Sequence, residues 1–293
     1  PVYRMVNNGV FVSSLQLVIN DITHRFIRRV LRSVFKSSDI GSAAQILRKQ
    51  LVLDNETIAS LNDSITAMLK VKDSNERSNL SDEDAAALKK VLLELGIIAT
   101  IPVVEYKMPL YYETYNSTII VQPRLRYGQV NAVINYIQDN LQGLSASEKE
   151  LLIETIRRDA LGKLLEEQIQ LNVLNGLSKF YAVKKLVSVI QGNMGEFDLA
   201  LKTNKSIKHH IFEIKLSSKV IENQYKYLKN DKLIQDTIGG IDAVDDRTVI
   251  YLGDSCVLKN GIRYVNAEEF LMTLDKYIPK PKDDSNLNKL NLM

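Results

Sequence analysis

The chain has 293 residues, enough for two domains, and 45% of them are apolar, enough for a sizeable core. Lysine and arginine outnumber aspartate and glutamate by 38 to 35, a near balance that excludes a strong global attraction for nucleic acid and leaves only local basic patches. The single cysteine, Cys256, excludes an internal disulfide and fits a reducing cytoplasm, and no apolar run approaches the roughly 20 residues that span a membrane.

From the N-terminus, residues 10–36 read as one amphipathic helix. Ile19, Ile22, Phe26, Val30 and Val34 form its apolar stripe, with Arg25, Arg28, Arg29, Arg32 and Lys36 beside them. The basic stripe is either a solvated face or a phosphate-contacting one. Helices over about 40–51 and 55–70 follow, and a third begins at Ser81 and ends at Gly96. A strand over 97–104 and another near 118–122 complete the outline of a winged helix, a fold that reads DNA or joins proteins. Between and after these strands lie Tyr106, Tyr111, Tyr112, Tyr115 and Tyr127, with Arg124 and Arg126. Such residues either tie neighbouring elements together or stack on bases.

A polar joint at 141–147 separates residues 1–140 from a second domain over 141–279, and 280–293 read as a disordered tail. Ser145 and Glu148 have capping-box spacing and start a long helix to about Asn175. Strand-like segments at 180–183 and 186–190 lead to a hairpin over 195–216, where apolar and polar residues alternate with period two around Asn204-Lys205-Ser206. A helix near 220–233, strands at 248–252 and 262–265 and a helix over 267–277 close the second domain as an α/β layer arrangement. The second strand of the hairpin places Glu213 and Lys215 on one face, and Asp198 lies on the first. Two carboxylates suit a hard cation such as Mg²⁺, and a lysine beside it can orient a water or stabilise charge on a phosphate. The bland alternative is an exposed hairpin with a surface Glu–Lys pair. His209 and His210 are neighbours on a strand and point to opposite faces, so they do not read as a metal pair.

Asp198 followed by Glu213-Ile214-Lys215 resembles the D…(D/E)-x-K motif of the PD-(D/E)XK nuclease superfamily. More widely, the chain resembles the C-terminal half of a family of prokaryotic AAA-type ATPases, in which a winged helix and then a PD-(D/E)XK-like domain follow the ATPase module. The resemblance is carried by LLELGII at 92–98, GKLLEEQI at 162–169, GEFDLAL at 195–201 and FEIK at 212–215. It departs at Gln122-Pro123-Arg124, where the family has an Asp-Pro-Gly-like turn, and at an insertion near 70–81. The resemblance implies an α+β/α/β chain with a restriction-endonuclease-like second domain. It implies catalytic residues Glu166, Asp198, Glu213 and Lys215, with Mg²⁺ held by Asp198 and Glu213. The partners implied are DNA and the ATPase module of a longer parent, of which this stretch, opening at Pro1, would be a fragment. No phosphate-binding loop is present, so no ATP site is expected in this stretch. The alternative is a catalytically inactive DNA- or protein-binding module of the ATPase. Lys226 and Lys229 are the basic residues expected near the site.

Overall fold

The computed structural model describes residues 82–140, 142–190, 195–203 and 208–278. The expected helices over 10–36, 40–51 and 55–70, the basic stripe Arg25 to Lys36 and the tail 280–293 all lie outside the described residues. The chain divides into two compact units, one of residues 1–101 and 116–168, the other of 102–115 and 169–293.

The first described helix, α1, spans Asp82–Glu94 and ends at Gly96 with φ +65°, a left-handed value that glycine adopts without strain. Strands β1 (Ile98–Met108) and β2 (Tyr111–Ile120) follow, joined by two residues. Helix α2, Pro123–Asn140, starts on a proline, whose fixed φ and missing N–H suit the first helical position. The sequence pattern places no element over 123–140, and the structure fills this stretch with the helix. In α3, Ala146–Leu177, the expected capping box is formed: Glu148 N donates to Ser145 Oγ at 3.3 Å and Ser145 N donates to Glu148 Oε2 at 2.8 Å.

Strands β3 (Tyr181–Ser188), β4 (Gly195–Thr203) and β5 (His209–Ile214) come next. Helix α4 (Asp231–Ile238) and strands β6 (Val244–Tyr251), β7 (Cys256–Val257) and β8 (Arg263–Asn266) lead to α5 (Ala267–Met272). The eight strands form one mixed sheet in the order β2-β1-β3-β4-β5-β6-β8-β7. Strands β3, β4 and β5 run antiparallel, and β5, β6 and β8 run parallel. The ribbon expected as a wing is therefore continuous with a larger sheet, since β1 pairs in parallel with β3. The protein is a mixed α/β chain, with five α-helices and one eight-stranded sheet among the described residues.

The helix expected near 220–233 divides. A short 3-10 turn covers Glu222–Tyr225, and α4 starts afresh because the Asn230 side chain caps it, accepting from Leu233 N at 3.0 Å. Likewise α5 is capped by Asn266 and stops at Met272, ahead of a 3-10 turn over Leu274–Tyr277.

In the second unit the central strands bury side chains on both faces, so they lack a solvated side. Ile211 packs with Phe197, Tyr225, Leu233, Ile234 and Val249. The next residue, Phe212, meets Phe270 edge-on at 5.5 Å between ring centres. After β6 the backbone passes close to the loop that follows β5, and Leu252 N donates to Ser217 O at 2.8 Å. A Cβ on Gly253 would lie 2.3 Å from the Ser218 carbonyl oxygen and 2.6 Å from the Tyr251 ring. Backbone has no room to give there. Gly253→Ala is expected to cost about 1–3 kcal/mol, read as a lower urea midpoint with an unchanged slope.

Candidate functional site

Strand β4 carries a fault in its pairing with β3. Lys184 is opposite Ala200 and Leu186 is opposite Phe197, so Asp198 and Leu199 together face the single residue Lys185. Such a bulge re-aims side chains. Phe197, Asp198, Leu199, Ala200 and Leu201 are all buried, as in a strand covered on both faces.

Asp198 is 2% exposed and its carboxylate is held from several sides. Oδ2 accepts from Ile214 N at 2.8 Å and from Lys215 Nζ at 3.2 Å. Oδ1 lies 3.7 Å from Lys185 Nζ. The Asp198 carbonyl accepts from Gln170 Nε2 at 2.5 Å, which fixes the strand against the end of α3. Lys215 is one residue beyond β5, and its backbone N–H donates to Ile250 O at 2.9 Å, so the strand parity with Glu213 is kept.

Glu213 is 1% exposed and lies against the Lys215 ammonium through Oε2. That contact is an ion pair without hydrogen-bond geometry. Neither carboxylate oxygen has a hydrogen-bond partner among the described residues. Burial, and then the neighbouring Asp198 charge, push the Glu213 carboxyl well above the usual carboxylate range; Lys215 opposes the shift and Glu196 adds to it. Glu196 is ion-paired to Lys185 at 3.0 Å. The structure thus brings together Asp198, Glu213 and Lys215, the residues singled out from the sequence. It adds Glu196 and Lys185, which the sequence pattern does not single out. The alternation around residues 196–198 contains no sign of the β3–β4 register that sets Lys185 beside them.

The fourth residue singled out, Glu166, lies on α3 in the first unit. It is buried and paired with Lys163 at 2.7 Å. The cluster of Asp198, Glu213 and Lys215 is made from the second unit alone. Arg126, a candidate for base or phosphate contact, is instead 4% exposed and forms a buried ion pair with Glu167. A guanidinium so committed ties neighbouring elements together, the first of the two readings open to it from the sequence. Arg124 is exposed. Lys229 pairs with Glu222 at 3.0 Å and lies over the Tyr225 ring, and Lys226 lies over Tyr227. Tyr106 is buried, whereas Tyr111, Tyr112 and Tyr115 are about half exposed on the edge strand β2.

An orphaned, buried carboxylate oxygen beside a second carboxylate fits a hard divalent cation. Asp198 and Glu213 would hold it. No group of three or more His, Cys, Asp or Glu placed for metal binding occurs among the described residues, so water or substrate oxygens would complete the shell. A cleft of about 960 Å³ lies elsewhere in the same unit, lined by residues that include His210, Asp245, Arg263 and Tyr277 and none of the acidic pair. Burial lowers the affinity of the His210 imidazole for a proton, which suits a packed ring beside Tyr181 and Tyr277.

No protein-family model matches the chain, and no curated protein matches it. Among solved structures, the chain is similar to one described as the crystal structure of protein VC1899 from Vibrio cholerae, at 13% identity with a TM-score of 0.28. The similarity covers 88% of this chain and 55% of that one. A likeness this faint carries no argument about fold or function. No helix among the described residues is long and apolar enough to cross a membrane.

Proposed function

We propose that the second unit is a PD-(D/E)XK nuclease-like domain that hydrolyses DNA phosphodiesters with Mg²⁺. It would follow a winged-helix region in the C-terminal part of an AAA-type ATPase. The observation that carries this reading is the convergence of Lys215 on Asp198 at 3.2 Å and on Glu213, whose Oε1 is buried with no hydrogen-bond partner among the described residues. Asp198 and Glu213 bind the cation. When bound, Mg²⁺ supplies Lewis-acid polarisation of the phosphate and a more acidic water. Lys215 is 31% exposed and is the member of the trio that substrate can meet, so its ammonium orients the attacking water and stabilises charge on the phosphate oxygens.

The deep burial of both acids favours a second reading, a catalytically inactive DNA- or protein-binding module in which the trio holds the hairpin together. One experiment separates them: incubation with linear, nicked and single-stranded DNA in Mg²⁺ or Mn²⁺, with EDTA controls. Metal-dependent cleavage supports the nuclease. Cation binding or DNA binding without cleavage supports the inactive module.

A further inference from the structure

Beside the bulge in β4, the ladder that pairs Leu186 with Phe197 sets Lys185 of β3 opposite Asp198, and its ammonium reaches Glu196 Oε2 at 3.0 Å and Asp198 Oδ1 at 3.7 Å. Lys185 is 14% exposed at the side chain and Asp198 is 2% exposed, so solvent screens this contact less than a surface pair. Three carboxylates, Glu196, Asp198 and Glu213, therefore share two ammonium groups, Lys185 and Lys215. With all five ionised, the cluster carries a net charge of −1. An acidic cluster alone would not define a site, but Glu213 Oε1 is buried with no hydrogen-bond partner among the described residues.

We propose that Lys185 is a built-in counter-ion that sets the affinity of this site for divalent cations, with Glu196 as its opposing partner. This rests on the reading of Asp198 and Glu213 as cation-binding residues. Lys185 competes with an incoming cation for the field of Asp198. Its ammonium also neutralises Glu196, which would otherwise strengthen the attraction. Lys215, bound to Asp198 Oδ2 and Glu213 Oε2, is the second such counter-ion and is 31% exposed at the side chain, against 14% for Lys185.

Coulomb's law fixes the signs. Removing the Lys185 charge takes the cluster from −1 to −2 and should tighten binding of a divalent cation. Removing the Glu196 charge takes it to 0 and should weaken binding. At separations of several ångströms, and with less screening than in bulk water, each change is at least about tenfold in Kd.

The test is Mn²⁺ binding to the full chain, by calorimetry or electron paramagnetic resonance, for wild type, Lys185→Met, Lys185→Arg, Glu196→Gln and the double variant Lys185→Met/Glu196→Gln. Melting curves confirm that each is folded. Tighter binding in Lys185→Met, wild-type affinity in Lys185→Arg, weaker binding in Glu196→Gln and a near-wild-type double variant support the proposal. Lys185→Arg keeps the charge, so it still decides the matter if Lys185→Met does not fold. In that case, weaker binding in Glu196→Gln with unchanged binding in Lys185→Arg is the supporting result. Equal affinities in wild type, Lys185→Met and Glu196→Gln overturn the proposal and leave the cation site intact. Mn²⁺ binding to Lys185→Met but not to wild type supports it. Absence of Mn²⁺ binding from wild type and Lys185→Met alike overturns both the proposal and the cation site. Binding without DNA cleavage overturns only the nuclease activity.

Discussion

Lys215→Met should lower metal-dependent DNA cleavage by about 10²–10³-fold, almost wholly in kcat. That is the usual loss when a single group aimed at developing negative charge is removed. The variant keeps its backbone bond from Lys215 N to Ile250 O, so the end of β5 stays anchored. The side chain matters in a second way, because its ammonium is the cation shared by Asp198 and Glu213. Methionine leaves two neighbouring buried carboxylates without that cation and should also lower stability at neutral pH. Lys215→Arg separates the two roles. It keeps the positive charge, and with it most of the stability, but the guanidinium projects farther and cannot place a water as the ammonium does. The expected pattern is near-wild-type melting with strongly reduced turnover in Lys215→Arg, and losses of both in Lys215→Met. Full cleavage by Lys215→Met would remove Lys215 from the reaction and leave it a structural counter-ion.

The parts of this site that could be read from sequence were those set by local periodicity. Residues 195–216 alternate with period two, and that alone placed Asp198, Glu213 and Lys215 on one hairpin. The Ser145–Glu148 spacing located the start of α3 because a capping box is a contact within one turn. What escaped depends on pairing between distant strands or on competition between local signals. Pro123 suits a turn and a first helical position equally, and the burial of Val130 and Ile134 resolves it as α2. The apolar residues from Val220 to Leu233 suggested one helix, yet Asn230 prefers to cap, and its side chain starts α4 instead. Arg126 carried no mark of its partner Glu167, 41 positions away in the chain. Lys185 is the clearest case. Its place beside Asp198 arises from the register in which β3 pairs with β4, and no pattern within either strand records that.

Glu213→Gln should change the pH dependence of stability more than its value at acid pH. In wild type, burial and the adjacent Asp198 charge raise the folded-state pKa of Glu213 above the unfolded value of about 4.3. A group raised in this way binds its proton more tightly in the folded state. Its stabilising contribution is complete below the unfolded pKa. It is lost as pH climbs from there to the raised pKa, beyond which the folded state must hold an ion that the unfolded chain solvates freely. Every tenfold difference in proton affinity between the folded and unfolded chains is worth about 1.4 kcal/mol. Glutamine has no proton to lose, so the difference in unfolding free energy between Glu213→Gln and wild type, measured in EDTA from pH 4 to pH 8, should move steadily in favour of the variant. Carboxylates that do not interact with Glu213 cancel from that difference. Adding Mg²⁺ at pH 8 should then restore stability to wild type, by an amount that grows with concentration above Kd, and should do far less for the variant, which lacks a charged ligand. A difference that stays flat across this range in EDTA would mean that Glu213 titrates like a solvated carboxyl. The orphaned oxygen that marks the cation site would then be reached by water instead.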